Sequence, residues 1–309
     1  MAHETHMKRP FDGMTDPEIQ AWQAKEYQEL LQVHDDGMEF VGKTASIIAY
    51  ERMLESEKPE HVRLFNDHLA KYFAEPYGKK GSECLASGLI IFFDPNKDNG
   101  LLFDGHVAYT AARTKLINDY MGEWIDANEH SKQVLDLGAG FSTRPFYVES
   151  LKNVTVYTEV DTKPVNDAKE KVLNSLRCKG ELNDPFCTRM VISMDFQKQS
   201  VSDLPTMGFD QSLPTCWILE GLVMYLKPEE TKQLLQKISK LSTKGSYIIL
   251  NFYTMSPAAN PDDMDTILEA EGWTKTERVF FGDEHFNYGR YPEGKPANTV
   301  FGFSFYAMV

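Results

Sequence analysis

Cysteine is scarce in this chain of 309 residues. The four present, Cys84, Cys178, Cys187 and Cys216, form no C-x-x-C pair. That spacing argues against a disulfide framework and a zinc site, so they read as packing residues in a reducing compartment. Basic residues are also in deficit: 32 Lys plus Arg against 46 Asp plus Glu leave a formal charge of −14. That sign repels nucleic-acid backbones and anionic membrane surfaces. No window approaches the ~18 apolar residues of a membrane span, and Met1 to Pro10 lacks the apolar stretch of a signal peptide. No group of His, Cys and Asp has metal-ligand spacing, which predicts chemistry without a metal. What remains is a cytoplasmic, soluble globular protein, 42% hydrophobic and 25% charged, with enough apolar residues for one large domain and an elaboration.

The chain changes rhythm near residue 130. Residues 1–14 read as a disordered tail and 15–130 as a helical cap. Thr15-Asp16-Pro17-Glu18 is a helix start, and residues 44–55 and 60–73 have helical periodicity. From 106 to 125, Val107, Ala111, Leu116, Ile117, Tyr120, Met121, Trp124 and Ile125 make one apolar face. The run from Glu75 to Asp104 is rich in Gly and reads as loop around the short apolar segment Leu89 to Phe93. From 131 to 309, strand-like runs (Gln133–Leu137, Thr155–Val160, Arg189–Ser193, Cys216–Leu219, Tyr247–Phe252) alternate with helical stretches near 143–151, 164–177 and 228–242. Such alternation predicts a parallel sheet with right-handed crossovers. Thr276–Phe281 and Val300–Met308 have no helix between them and predict a terminal hairpin with one antiparallel strand.

Val134-Leu135-Asp136-Leu137-Gly138-Ala139-Gly140 is a buried strand running into a glycine turn, the place where a parallel sheet brings its backbone close to a nucleotide. A dinucleotide site would want a third glycine at position 143 to pack helix and strand around a pyrophosphate. Thr143 stands there, and Asp136 precedes the first glycine, which favours S-adenosylmethionine over a dinucleotide. Asp161 ends the second strand, where a carboxylate accepts both ribose hydroxyls. Met194-Asp195-Phe196 follows the third strand, and there a carboxylate and the next backbone N–H suit adenine. Glu220 leaves the fourth strand beside the expected methyl-transfer point, where a buried acid needs a cationic or hydrogen-bonding partner.

These motifs in this order, with Thr143-Arg144-Pro145, Glu159-Val160-Asp161, Glu220-Gly221-Leu222-Val223-Met224-Tyr225-Leu226 and Arg113-Thr114, resemble the leucine carboxyl methyltransferase family. Lys43-Thr44-Ala45, Tyr50-Glu51-Arg52 and Phe65-Asn66-Asp67 are similar to its bacterial, polyketide O-methyltransferase-like branch. The resemblance implies a Rossmann-like α/β fold: seven strands, mostly parallel, the last antiparallel, helices on both faces, and an amino-terminal helical cap. It implies that Arg113 pairs with the methionine carboxylate of S-adenosylmethionine and that the Gly138 backbone lines that end. Asp161 would hold the ribose, Asp195 and Phe196 the adenine, and Glu220 the amino-acid side. Two departures are Phe196, where Leu is usual, and the long segment Asn287–Gly294, which puts a protein-phosphatase substrate in doubt.

The expected activity is O-methylation of a carboxylate or hydroxyl of a small molecule, a peptide carboxyl terminus being a narrower variant, with S-adenosylhomocysteine as product. The alternatives are an NAD(P)-dependent oxidoreductase and a cofactor-binding protein without catalysis. A carboxylate nucleophile needs no base; a hydroxyl acceptor benefits from one, and Tyr225, His106 and His285 are the candidates, Tyr225 first. The acidity is uneven, with a net of −10 in residues 1–130 and −4 in 131–309. An acidic cap still admits an anionic small substrate if Arg113, Arg144 or Arg290 faces the cavity.

Overall fold

A computed structural model describes residues 40–75, 77–82, 99–128, 132–196, 198–254, 256–291, 293–294, 297 and 300–309. The predicted tail, the Thr15 helix start, Cys84 and the Leu89–Phe93 segment lie outside them. In chain order the elements are helices α1 (Phe40–Ser56) and α2 (Asn99–Ala127), then β1 (Gln133–Leu137), β2 (Val156–Asp161), α3 (Lys163–Cys178), β3 (Thr188–Ser193) and β4 (Thr215–Leu219). There follow α4 (Pro228–Leu241), β5 (Tyr247–Tyr253), α5 (Pro261–Ala270), β6 (Trp273–Phe280) and β7 (Phe301–Met308). The seven strands form one sheet in the order β3-β2-β1-β4-β5-β7-β6. β7 runs antiparallel to both neighbours, and the other strands run one way. This is the predicted Rossmann-like sheet with its antiparallel last strand.

Alternation along the strands splits the core in two. Leu135, Leu137, Trp217, Leu219, Ile248 and Leu250 face α4 and α5, while Val134, Cys216, Ile218 and Ile249 face Leu116, Ile117, Met121 and Ile125 of α2. Period-two alternation on strands covered by helices on both faces is what gives near-continuous apolar runs in sequence. The carboxyl-terminal half of α2, assigned to the cap by a boundary at residue 130, therefore lies on the sheet as one of its layers. Its amino-terminal half projects past the carboxyl edge of the strands, because the chain must return to the opposite edge to enter β1.

Four local expectations change. Residues 60–73 hold only a 3-10 turn at Ala70–Tyr72. Side chains capture the donors a helix would use: Leu64 N–H donates to Glu55 Oε1, Asp67 N–H to Ser56 Oγ and Ala70 N–H to Asp67 Oδ1. The expected helix at 143–151 is two 3-10 turns, Arg144–Phe146 and Glu149–Asn153, separated by Val148 in extended conformation. β6 begins at Trp273, earlier than predicted, because a register shift between Lys275 and Glu277 hides its alternation. Within the predicted loop 75–104, residues 78–82 are helical and α2 already begins at Asn99.

Candidate cofactor and active site

Strand order reverses between β1 and β4, so the carboxyl ends of these neighbours open the crevice where α/β sheets take ligands. Gly138 and Gly140 turn the chain there with φ of +73° and +49°, conformations that disfavour a side chain. Space is tight as well: a Cβ would stand 3.3 Å from Leu222 at Gly138 and 3.2 Å from Ala45 at Gly140. Asp161, at the end of β2, fixes this turn. Its carboxylate accepts the Gly140 N–H (2.7 Å) and the Thr162 N–H (2.6 Å). Burial raises its pKa against the pull of those two amides.

Glu220, at the end of β4, sits between two arginines. Arg144 Nη2 donates to Glu220 Oε2 at 2.6 Å, and Arg113 Nε lies 2.8 Å from Glu220 Oε1. Burial alone would raise the Glu220 carboxyl; Arg144, then Arg113, reverse that and hold it at about 2. The Arg113 contact is an ion pair without hydrogen-bond geometry, so this buried N–H has no hydrogen-bond partner among the described residues. Arg144 is anchored further by Asn118 Oδ1 (3.0 Å), Ser142 Oγ (3.2 Å) and Asp136 Oδ2 (3.3 Å), and Tyr157 Oη donates to the same Asp136 oxygen at 2.7 Å. Asp136 thus stands behind the arginine rather than in the crevice, and burial raises its pKa. Arg52 joins α1 to the turn: Nη2 donates to Phe141 O (2.6 Å) and Nε to Asp67 Oδ2 (2.9 Å). Asp67 also receives the Thr143 hydroxyl, so the position where a dinucleotide site would want glycine is filled by a bonded side chain.

Residues 45–239 match the leucine carboxyl methyltransferase family. The chain belongs to that family. Proteins named putative S-adenosyl-L-methionine-dependent methyltransferases are similar to it: one from Mycobacteroides abscessus is 31% identical over 67% of this chain and 65% of its own length. Another, from Parafrankia sp., is 33% identical over 70% of this chain and 64% of its own. The chain therefore spans about 65% of the length of these relatives. A DUF574-family protein from Streptomyces avermitilis shares the fold, with a TM-score of 0.51, 11% identity, and 83% of this chain and 100% of that one covered.

Of the residues that the leucine carboxyl methyltransferase resemblance singled out, Arg113, Gly138, Asp161 and Glu220 converge at the β1/β4 edge. Asp195 and Phe196 follow β3, two strands away, with Asp195 half-exposed beside Lys198 (2.6 Å) and Phe196 packed on the core. Tyr225 lies on the 3-10 turn Val223–Tyr225 beyond Glu220 and is 38% exposed. His285 is exposed on the turn Glu284–Phe286. Arg290, offered as a residue that could face the cavity, instead straps the carboxyl-terminal segment to α1 and the turns after it by donating to Glu55 Oε1 and Val62 O, each at 2.6 Å. Among the described residues no helix is long and apolar enough to cross a membrane.

Sequence reading gave Arg144 too small a part, and left Asn118 and Asn251 unmarked. Asn251 Oδ1 accepts the Gly221 N–H (3.2 Å) and its Nδ2 donates to Tyr109 Oη (3.0 Å), tying the turn after Glu220 to α2. A lone Asn in the apolar run Ile248-Ile249-Leu250-Asn251-Phe252 was the available signal.

Proposed function

We propose that the chain is an S-adenosylmethionine-dependent O-methyltransferase acting on a carboxylate or hydroxyl of a small molecule. The observation that carries this reading is the two-arginine clamp on Glu220 beside the glycine turn. A zwitterionic amino-acid end fits it: the Arg113 guanidinium suits a carboxylate, and Glu220, ionised at neutral pH, suits an ammonium. The turn, free of Cβ atoms at Gly138 and Gly140, suits the middle of the molecule, and Asp161 the ribose. The adenine falls to Asp195 and the Phe196 backbone. The names carried by the relatives support the same cofactor. When bound, that cofactor supplies an electrophilic methyl group on a sulfonium.

The chain's own task is then to hold an acceptor oxygen in line and keep water away. Arg52, Arg144 and Asp161 keep the turn and the clamp in one geometry: Arg52 holds the Phe141 carbonyl, Asp161 the Gly140 N–H and Arg144 the Glu220 carboxylate. Tyr225, on the turn after Glu220, borders the acceptor side. Incubation with methyl-labelled S-adenosylmethionine and a panel of carboxylates, phenols and alcohols, followed by mass analysis of the products, tests the reading. An ester or ether product is expected; methylation found only on nitrogen or carbon would overturn it.

A further inference from the structure

α1 and α2 bury a second polar cluster, apart from the clamp. Glu51 of α1 is fully buried, and its carboxylate accepts from Ser82 Oγ (2.5 Å), Thr110 Oγ1 (2.6 Å) and His106 Nδ1 (2.6 Å). Burial alone would raise the Glu51 pKa; the charge and hydrogen bond of His106, with the two hydroxyls, reverse this and hold it below the ordinary value. An ionised carboxylate only accepts, so the proton of the His106 contact belongs to Nδ1. As an imidazolium the ring also carries a proton on Nε2; in the form that has lost that proton, Nε2 holds the lone pair while Nδ1 stays bonded to Glu51. The cluster requires close packing, because a Cβ at Gly81 would stand 2.3 Å from Ile47 of α1. A glycine there lets residues 78–82 bring Ser82 onto Glu51.

His106 precedes Arg113 by seven residues, which puts the two on one face of α2, about 10 Å apart along the axis. Tyr109 stands between them, its ring centroid 6.5 Å from that of His106 and 5.4 Å from the Arg113 guanidinium carbon. Both lie on the part of α2 at and beyond the carboxyl edge of the sheet. α1 repeats the arrangement: Arg52 holds the Phe141 carbonyl beside the glycine turn, and the preceding residue, Glu51, holds His106. Glu51 and Arg113 are also near enough to feel each other's charge. A buried ionic cluster joins two helices no better than apolar residues of the same volume. A carboxylate-oriented imidazole is, however, the arrangement that proton abstraction calls for.

We propose that His106 is the general base of the methyl transfer, Glu51 its positioning residue, and the acceptor a phenolic or enolic hydroxyl rather than a carboxylate. The proposal rests on the methyltransferase reading above. The acceptor oxygen bonds to the methyl carbon as the carbon–sulfur bond breaks, and that electron pair stays on sulfur. The hydroxyl proton passes to His106 Nε2, giving an imidazolium beside the Glu51 carboxylate, and then to water.

Nitrogen-15 NMR of the histidine-labelled full chain, with S-adenosylhomocysteine added, reads the tautomer without turnover. A protonated Nδ1 and an unprotonated Nε2 are expected at His106; the reverse tautomer overturns the proposal. Turnover is read as S-adenosylhomocysteine release with phenol, catechol and 4-nitrophenol against benzoate. His106→Asn keeps an N–H toward Glu51, and its kcat on phenol is expected to fall by about 10²- to 10⁴-fold with unchanged S-adenosylhomocysteine affinity. The loss is expected to shrink on 4-nitrophenol, which is already ionised at mildly alkaline pH, and Glu51→Gln to give an intermediate loss on phenol alone. Equal rates for His106→Asn and wild type, or benzoate methylated ahead of every phenol, overturn the proposal. A wild-type chain that does not bind S-adenosylhomocysteine at all defeats the methyltransferase reading instead.

Discussion

Arg144→Ala strips the site of its central charge. The side chain is 2% exposed and bridges Glu220 and Asp136, so its removal strands two buried carboxylates. Breaking a buried pair from one side typically destabilises by about 3–5 kcal/mol. Glu220 keeps Arg113 and Asp136 keeps the Tyr157 hydroxyl, which puts the expected loss near the lower end, about 3 kcal/mol. At about 2–4 °C per kcal/mol, Tm at neutral pH should fall by about 6–12 °C in calorimetry. Glu220→Gln in the Arg144→Ala background should recover part of that fall, because it removes one stranded charge. The pH dependence carries the same signature. A carboxyl held at about 2 against an ordinary 4.5 stabilises the fold fully above the higher value, and the contribution is lost as pH falls toward the lower one. At about 1.4 kcal/mol per pH unit, this is worth about 3 kcal/mol in the wild type. The Arg144→Ala stability curve should therefore be flatter below pH 4.5. A Tm within about 2 °C of wild type, or parallel acid limbs, would refute the reasoning.

Other substitutions separate the parts of the site. Arg113→Ala should weaken S-adenosylhomocysteine about 10- to 100-fold by titration calorimetry, and Arg113→Lys should restore only part because the planar fork is gone; equal affinities would contradict the assignment. Asp161→Ala leaves the Gly140 and Thr162 amides without their acceptor, a loss of about 1–3 kcal/mol in denaturant unfolding, together with weaker cofactor binding. Unchanged stability would mean that the turn does not depend on that carboxylate. Gly138→Ala must hold φ near +73° with its Cβ 3.3 Å from Leu222, so a loss of at least about 1–2 kcal/mol is expected, and a neutral result would show that the turn can rearrange.

The sheet was legible because its inner strands β1, β2, β4 and β5 are buried on both faces and the helices α3 and α4 between strands are amphipathic, so the change of rhythm after residue 130 marks them directly. The positions of Gly138, Asp161 and Glu220 at strand ends were legible because each closes a strand-like run, although only that before Glu220 is uninterruptedly apolar. Arg113 and Arg144 differ. Arg113 could be picked from the family pattern, but nothing local to Arg144 says that its guanidinium reaches Glu220, 76 residues away in sequence. The cap was read least well. Its turns between Glu55 and Ala70 are held by side chains bonding to backbone donors, and such bonds leave no periodicity behind. The Glu51–His106 pair spans 55 residues and two helices, and only the packing of α1 against α2 brings it together.

Titration calorimetry of the full chain with S-adenosylhomocysteine, and separately with NADH, tests the central claim most directly. The account predicts one molecule of S-adenosylhomocysteine bound per chain in the micromolar range, weakened by Arg113→Ala and by Asp161→Ala, with no heat from NADH. No S-adenosylhomocysteine binding at high micromolar ligand, or binding that both substitutions leave unchanged, would contradict it.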